Sequence, residues 1–302
     1  MRPLATFVAY RLGAGLISAL PEPAIRRMGM AAGWLSWWWA KGRKTMAIRH
    51  MERAYGPETD QASIRRAARG VFTAYGRYWA ETLWFRPRRF DQVRKRVSLV
   101  GLEHVRAAQA ENRPIIVALP HIGNWEMAGT LGGDAGVRIT AVAEALANRR
   151  LAGWFTDLRA QLGIQVILAE GVSTMRALLA ALRERRLVAL VADRNIGGKG
   201  IEVEFFGETT SLPAGPAVLA IRTGAVLLPG AAYFKVGAGH RMVVQPPVPV
   251  PPSGTTRPAE VMTRELARRF EDLVRAAPTQ WHLVQPNWPS DRRFLADLRR
   301  SD

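Results

Sequence analysis

His121 and Glu126, five residues apart, stand in the segment 120–126 directly after the apolar run Pro114–Leu119. A run that apolar reads as a strand at the centre of a sheet, and open α/β sheets build their sites at the carboxyl ends of strands. A helix is expected to open near Asn124. That puts Glu126 in its first turn, where the dipole favours a carboxylate and the side chain can reach back to the imidazole. The chemistry on offer is general-base catalysis, with one ring nitrogen held by Glu126 and the other taking a proton from an incoming hydroxyl. Backbone N–H groups at the helix start would face developing negative charge on a reacting oxygen. The segment holds no Ser or Cys, so nothing in it points to a covalent intermediate. A loop histidine followed by a helix-start glutamate is the plain alternative.

The elements that must position these residues fall into two stretches. Residues 4–20, 24–55 and 61–84 read as helices, the first two parted by Pro21 and Pro23. In the third, Val71, Tyr75, Tyr78, Trp79, Thr82 and Leu83 share one face, with Arg65, Arg66, Arg69 and Arg77 largely elsewhere. From Val97 onward strands and helices alternate. Strands are expected at 97–100, 114–119, 137–143, 164–168, 187–192, 201–206, 225–234 and 241–248. Helices are expected at 103–110, 147–162, 173–185, 214–223 and 258–276. Such alternation predicts an α/β fold, a central mixed, mostly parallel sheet flanked by helices. The organisation is then a basic amphipathic helical segment, 1–96, facing a membrane, and an α/β core, 97–302, packed with it as one unit.

Charge separates the same two stretches. The 302 residues carry a formal +18, and residues 1–96 hold 19 Arg or Lys against six Asp or Glu. A basic third seeks an acidic surface, anionic lipid or nucleic acid, although a GC-rich genome also enriches Arg and Ala. Trp34, Trp37, Trp38 and Trp39 run directly into Lys41, Arg43 and Lys44. Tryptophan beside cations suits a headgroup layer; packing of the rings against the protein is the even alternative. No apolar run reaches the ~20 residues of a spanning helix, and Arg11 interrupts the core that a signal peptide would need. With no cysteine, disulfides, thiolate metal sites and thiol nucleophiles are excluded. His50, His104, His240 and His282 show no metal-ligand spacing, so no metal is expected.

The segment 120–126 resembles the active-site motif of the bacterial acyltransferases that complete lipid A and of their relatives, the phosphatidylinositol mannoside acyltransferases. The likeness continues through Ala192–Asn195, Gly200–Gly207, Pro213–Pro216, Arg222–Ala225 and Trp281-His282. Gly200–Gly207, Trp281-His282 and the missing N-terminal spanning helix favour the mannoside branch; Glu126 departs from the Asp often found there. The resemblance implies transfer of a fatty acyl group, commonly palmitoyl, from acyl-CoA to a mannose hydroxyl of phosphatidylinositol mannoside. No cofactor is needed, since acyl-CoA is itself the donor substrate; lipid A relatives use acyl carrier protein instead. His121 is then the base and Glu126 its orienting partner. Implied partners are acyl-CoA, a phosphoinositide glycolipid acceptor and an anionic membrane, with a peripheral place on the cytoplasmic face of the plasma membrane. Oligomeric state is open.

Further candidates are weaker. Glu202 and Glu204 share one face of a strand, about 6.5–7 Å apart. Two such acids often form a solvated edge; beside the motif, one of them is expected to support His121 or bind a sugar hydroxyl, with Glu202 favoured as the catalytic one and Glu204 a substrate-binding candidate. Glu144 and Arg159 fall where the resemblance places functional residues, or are plain surface charges. Asn124 joins them as a substrate-binding candidate. Asp193, Arg194 and Lys199 flank a glycine-rich loop suited to CoA phosphates, or to a simple turn. The loop lacks the P-loop pattern. Two other classes fare worse. No nucleic-acid-binding motif accompanies the charge, so nucleic acid is not an expected partner. No Gly-x-Ser-x-Gly elbow supports a serine lipase.

Overall fold

The computed structural model describes residues 2–144, 147–169, 171–197 and 200–301. The chain opens with α1 (Arg2–Ala19), α2 (Glu22–Ser36), α3 (Lys41–Tyr55), α4 (Gln61–Trp84) and the short α5 (Phe90–Arg94). Then come β1 (Val97–Val100), α6 (Leu102–Ala110), β2 (Ile115–Leu119), α7 (Trp125–Ala128), β3 (Ile139–Glu144), α8 (Arg149–Gln161), β4 (Ile164–Ala169) and α9 (Val172–Arg183). The last third holds β5 (Leu187–Val191), β6 (Gly200–Phe205), β7 (Glu208–Pro213), α10 (Gly215–Thr223), β8 (Val226–Phe234), β9 (His240–Val244), α11 (Pro258–Arg275) and α12 (Pro289–Ser301).

Seven strands form one sheet in the order β1-β9-β8-β2-β5-β3-β4. Only β8 and β9 pair antiparallel; the other neighbours are parallel. The fold is therefore the expected α/β class with a mixed, mostly parallel sheet. β2 lies between β5 and β8 with all five residues buried, as its unbroken apolar run requires.

Three elements depart from the sequence expectation. The single helix expected over 24–55 is two helices, because Trp37 turns inward at the end of α2 to meet Phe72 edge-on at 5.5 Å. Trp34, Trp38 and Trp39 stay exposed. The four rings thus divide between the two alternatives, one in the core and three outside it. β7 was not anticipated. It pairs with β6 as a separate hairpin across Phe206 and Gly207, both at positive φ (52° and 73°), the backbone of a tight two-residue turn. Phe is an unusual residue there, and the signal was missed. α12 also exceeds expectation; buried Asp291 accepts the N–H groups of Asn287 and Trp288 at its start.

The N-terminal helices reach the sheet through α4. Gly33 packs so closely on α4 that a Cβ there would sit 2.1 Å from the carbonyl oxygen of Phe72, which fixes α2 against it. Tyr78 and Glu81, from the far half of α4, are thereby carried beneath the loop after β2.

Candidate active site

His121 stands two residues past β2, and a β-bridge between Ile122 and Trp281 holds its loop. The N–H of His282 donates to the His121 carbonyl at 2.7 Å, and the N–H of Gly123 to that of Gln280 at 2.9 Å. Gly123 adopts φ +61°, and a Cβ there would lie 1.7 Å from the Ala232 oxygen. Only glycine lets the chain turn that close to β8.

The carboxylate on His121 is that of Asp193. Its Oδ1 lies 2.5 Å from Nδ1, and its Oδ2 accepts the backbone N–H of His121 at 2.9 Å and the indole N–H of Trp281 at 2.8 Å. Asp193 is fully buried. Burial alone would raise its pKa; the His121 ring and the donated hydrogen bonds outweigh that and hold it below the usual carboxylate range. A charged acceptor at Nδ1 places the ring hydrogen there, which leaves Nε2 with a free lone pair. The ring is about one-third exposed (32%) and faces the groove described below. A proton acceptor thus stands at the groove wall with its far nitrogen anchored.

Glu126 does not fill the role expected of it. Its carboxylate is buried and accepts from Arg159 (Nε at 2.9 and 3.1 Å, Nη2 at 2.7 Å) and from the Tyr78 hydroxyl at 3.1 Å. The physical reason is the shortness of α7, a single turn, and the arrival of α8 with Arg159 beside it. Burial would lower the Arg159 pKa, but the Glu126 carboxylate outweighs it and the shift is upward. Both ions line the groove. Asn124 is also corrected. Fully buried, it gives an amide N–H to Glu81 at 3.1 Å and its oxygen caps Met127, and it does not line the groove. That cap also uses one of the N–H groups expected to meet developing charge.

Glu202 and Glu204 lie exposed on β6, in the hairpin outside the main sheet, and neither lines the groove. Asp193 occupies the position assigned to Glu202 as the support of His121. Asp193 is turned inward to His121 and is unavailable to a donor phosphate. Glu144, exposed at the end of β3, and Arg194 both line the groove. Lys199 lies outside the described residues.

The groove encloses about 720 Å³ and runs along one face of the sheet from His121. Leu119, Val117, Ala189, Ala141, Leu187 and Ile139 mark successive levels of its wall. In the parallel register Val117 stands beside Ala189, and Ala189 beside Ala141, so small side chains open the middle level. Rows two residues apart are ~6.6 Å apart along a strand. The result is a deep, apolar slot with a histidine at one end. Among the described residues no cluster of His, Asp or Glu fits a metal, and no helix is long and apolar enough to cross a membrane.

Sequence reasoning missed the Asp193 pairing, Tyr78 and the Trp281 indole. A signal for Asp193 existed, since it stands two residues past β5 as His121 stands two past β2, and β2 and β5 are parallel neighbours.

The profile of the family described as bacterial lipid A biosynthesis acyltransferase matches residues 3–290. The chain is 33% identical to the phosphatidylinositol mannoside acyltransferase of Mycobacterium tuberculosis (strain ATCC 25618 / H37Rv), covering 98% of this chain and 92% of that protein. Its counterpart in Mycolicibacterium smegmatis is 32% identical, with 98% and 94% covered. The lipid A biosynthesis lauroyltransferase of Escherichia coli K12 is 25% identical over 88% of this chain and 85% of its own.

Proposed function

The chain belongs to the bacterial lipid A biosynthesis acyltransferase family, and on that footing we propose that it moves a fatty acyl group, palmitoyl in the first instance, from acyl-CoA to a mannose hydroxyl of phosphatidylinositol mannoside. The observation that carries this reading is His121, anchored by Asp193, at the head of a deep apolar groove. The acyl chain lies in the groove with its thioester carbonyl at His121. Nε2 takes the proton of the acceptor hydroxyl as its oxygen attacks that carbonyl. The tetrahedral intermediate then collapses, the C–S bond breaks, and the imidazolium returns the proton to the departing thiolate. Asp193 holds the ring and stabilises its charged form. Glu126 and Arg159 brace the wall beside it, and Arg194 offers positive charge to the donor's phosphates.

A lipid acceptor calls for a membrane surface. Leu4, Val8, Leu12 and Leu16, each four residues from the next, are all exposed on α1, Leu20 is exposed just past its end, and Trp38 and Trp39 are exposed after α2. With the basic N-terminal third, this supports a peripheral enzyme seated on anionic lipid at the cytoplasmic face of the plasma membrane.

The second reading, a lipid A acyltransferase fed by acyl carrier protein, is favoured by the 25% identity to the lauroyltransferase. A transfer assay in vesicles decides between them, with palmitoyl-CoA or palmitoyl carrier protein as donor and mannoside lipid or lipid A precursor as acceptor. The proposal expects product only with the mannoside lipid, and with the CoA donor preferred. Product from carrier protein and lipid A precursor alone would overturn it.

A further inference from the structure

The amino ends of β2, β5 and β8, opposite the end that holds His121, open on a second cavity of about 590 Å³. A strand of five residues separates the two ends, ~16–17 Å of backbone, so this cavity is no part of the acyl groove. Arg113, Arg183, Arg185 and Arg222 line it, from three separate segments of the chain, and among the described residues no acidic one does.

Some arginines at the surface of this molecule are held in ion pairs. Arg257, Arg264, Arg268, Arg269 and Arg275 on or beside α11 each meet a glutamate, and Arg113 meets Glu111 at 3.3 Å. Arg183, Arg185 and Arg222 differ. Among the described residues their side chains make no ion pair or hydrogen bond, and all three are exposed. The carboxyl ends of α9 and α10 adjoin them and attract cations, since Arg183 and Arg222 lie in the last turns. Each helix end supplies roughly half a negative charge. Two such ends offset about one of the three unpaired cations, which leaves about two positive charges facing one concavity.

A phosphate monoester carries about −1.5 to −2 at neutral pH and three acceptor oxygens. Guanidinium groups bind such oxygens in forked pairs, and the cavity falls in the ~300–1,000 Å³ range of small-molecule sites. We infer that the arginine-lined cavity between the ends of α9 and α10 is a second, anion-binding site that takes a phosphate monoester group. This site is independent of the transfer reaction and stands or falls apart from it.

The test is calorimetric titration of the full chain with inorganic phosphate and with glycerol 3-phosphate, in chloride buffer. Wild type is compared with the triple variant Arg183→Gln/Arg185→Gln/Arg222→Gln and with a control of equal charge change, Arg257→Gln/Arg264→Gln/Arg268→Gln. The site predicts saturable binding of one anion per chain, weakened at least about tenfold in the cavity variant and unchanged in the control. Circular dichroism checks the fold, and single Arg222→Gln serves if the triple variant fails it. Vesicles of phosphatidylcholine with phosphatidic acid separate the sources. Binding that needs the three arginines and yields to free phosphate assigns a lipid headgroup. Vesicle binding indifferent to them, with phosphate still bound, assigns a soluble monoester. No saturable phosphate binding by wild type, or equal loss in both triple variants, would overturn the inference.

Discussion

Oδ1 of Asp193 lies 2.5 Å from Nδ1 of His121, and the two residues, 72 apart in sequence, sit the same distance past a register pair, Leu119 beside Val191. Parallel pairing of β2 and β5 is thus what builds the dyad. Neighbouring strands end together, and the side chains two residues beyond them meet.

Asp193→Asn keeps the shape of that contact and removes its charge. The amide can no longer stabilise imidazolium, and its N–H competes for the ring nitrogen. Turnover should fall about 10²- to 10⁴-fold, with KM for the donor little changed. Near-wild-type turnover in the variant would mean that the ring needs no anionic partner.

Glu126 is expected to act through Arg159. Removing either member of a buried pair costs several kcal/mol because the other is left unpaired. Urea unfolding of Glu126→Gln, Arg159→Gln and the double variant should show a coupling energy above about 1 kcal/mol. Additive losses would mean that the three short contacts contribute nothing specific.

Ala189 stands at the open middle level of the groove, between Val117 and Ala141. Ala189→Phe should block chains that pass this level and spare those that stop short of it. Each excluded methylene forfeits ~0.8 kcal/mol, so two or more should lower the ratio of kcat/KM for palmitoyl over octanoyl donor at least about tenfold. An unchanged ratio would remove the acyl chain from this wall.

His282 is fully buried among Tyr75, Tyr78, Trp125 and Phe234, and among the described residues neither ring nitrogen has a hydrogen-bond partner. Burial pushes its pKa down to about 3 from an ordinary 6.5. The unfolded chain therefore binds this proton at higher pH than the folded one, and stability drops as pH falls from 6.5 toward 3. At pH 4.5 the loss from this group is roughly 2–3 kcal/mol. His282→Phe should lose correspondingly less between pH 7 and 4.5 in denaturant titrations. Parallel losses in the two proteins would place the acid sensitivity elsewhere.

Much of this molecule was legible in its residues. The unbroken apolar run 115–119 announced a central strand, and the alternation after Val97 announced the layered sheet. His121 was legible because it stands two residues past that strand. Its partner was not, because Glu126 is near in sequence and Asp193 is near only once β2 and β5 are known to be neighbours. Pairing order is a long-range property, and local patterns do not carry it. Glu202 misled for a related reason. Alternation showed that it shares a face with Glu204, but not that their strand leaves the main sheet to pair with β7. The Trp281 indole, 88 residues beyond Asp193, was equally out of reach.

If His121 is the base of acyl transfer, its loss must show in the initial rate of palmitoyl transfer to phosphatidylinositol mannoside in anionic vesicles. Wild type and His121→Ala are compared at saturating palmitoyl-CoA, with unfolding midpoints matched beforehand. Loss of the base should slow transfer about 10²- to 10⁴-fold while donor binding and vesicle association persist. A variant that keeps its rate within a few-fold of wild type would contradict the account.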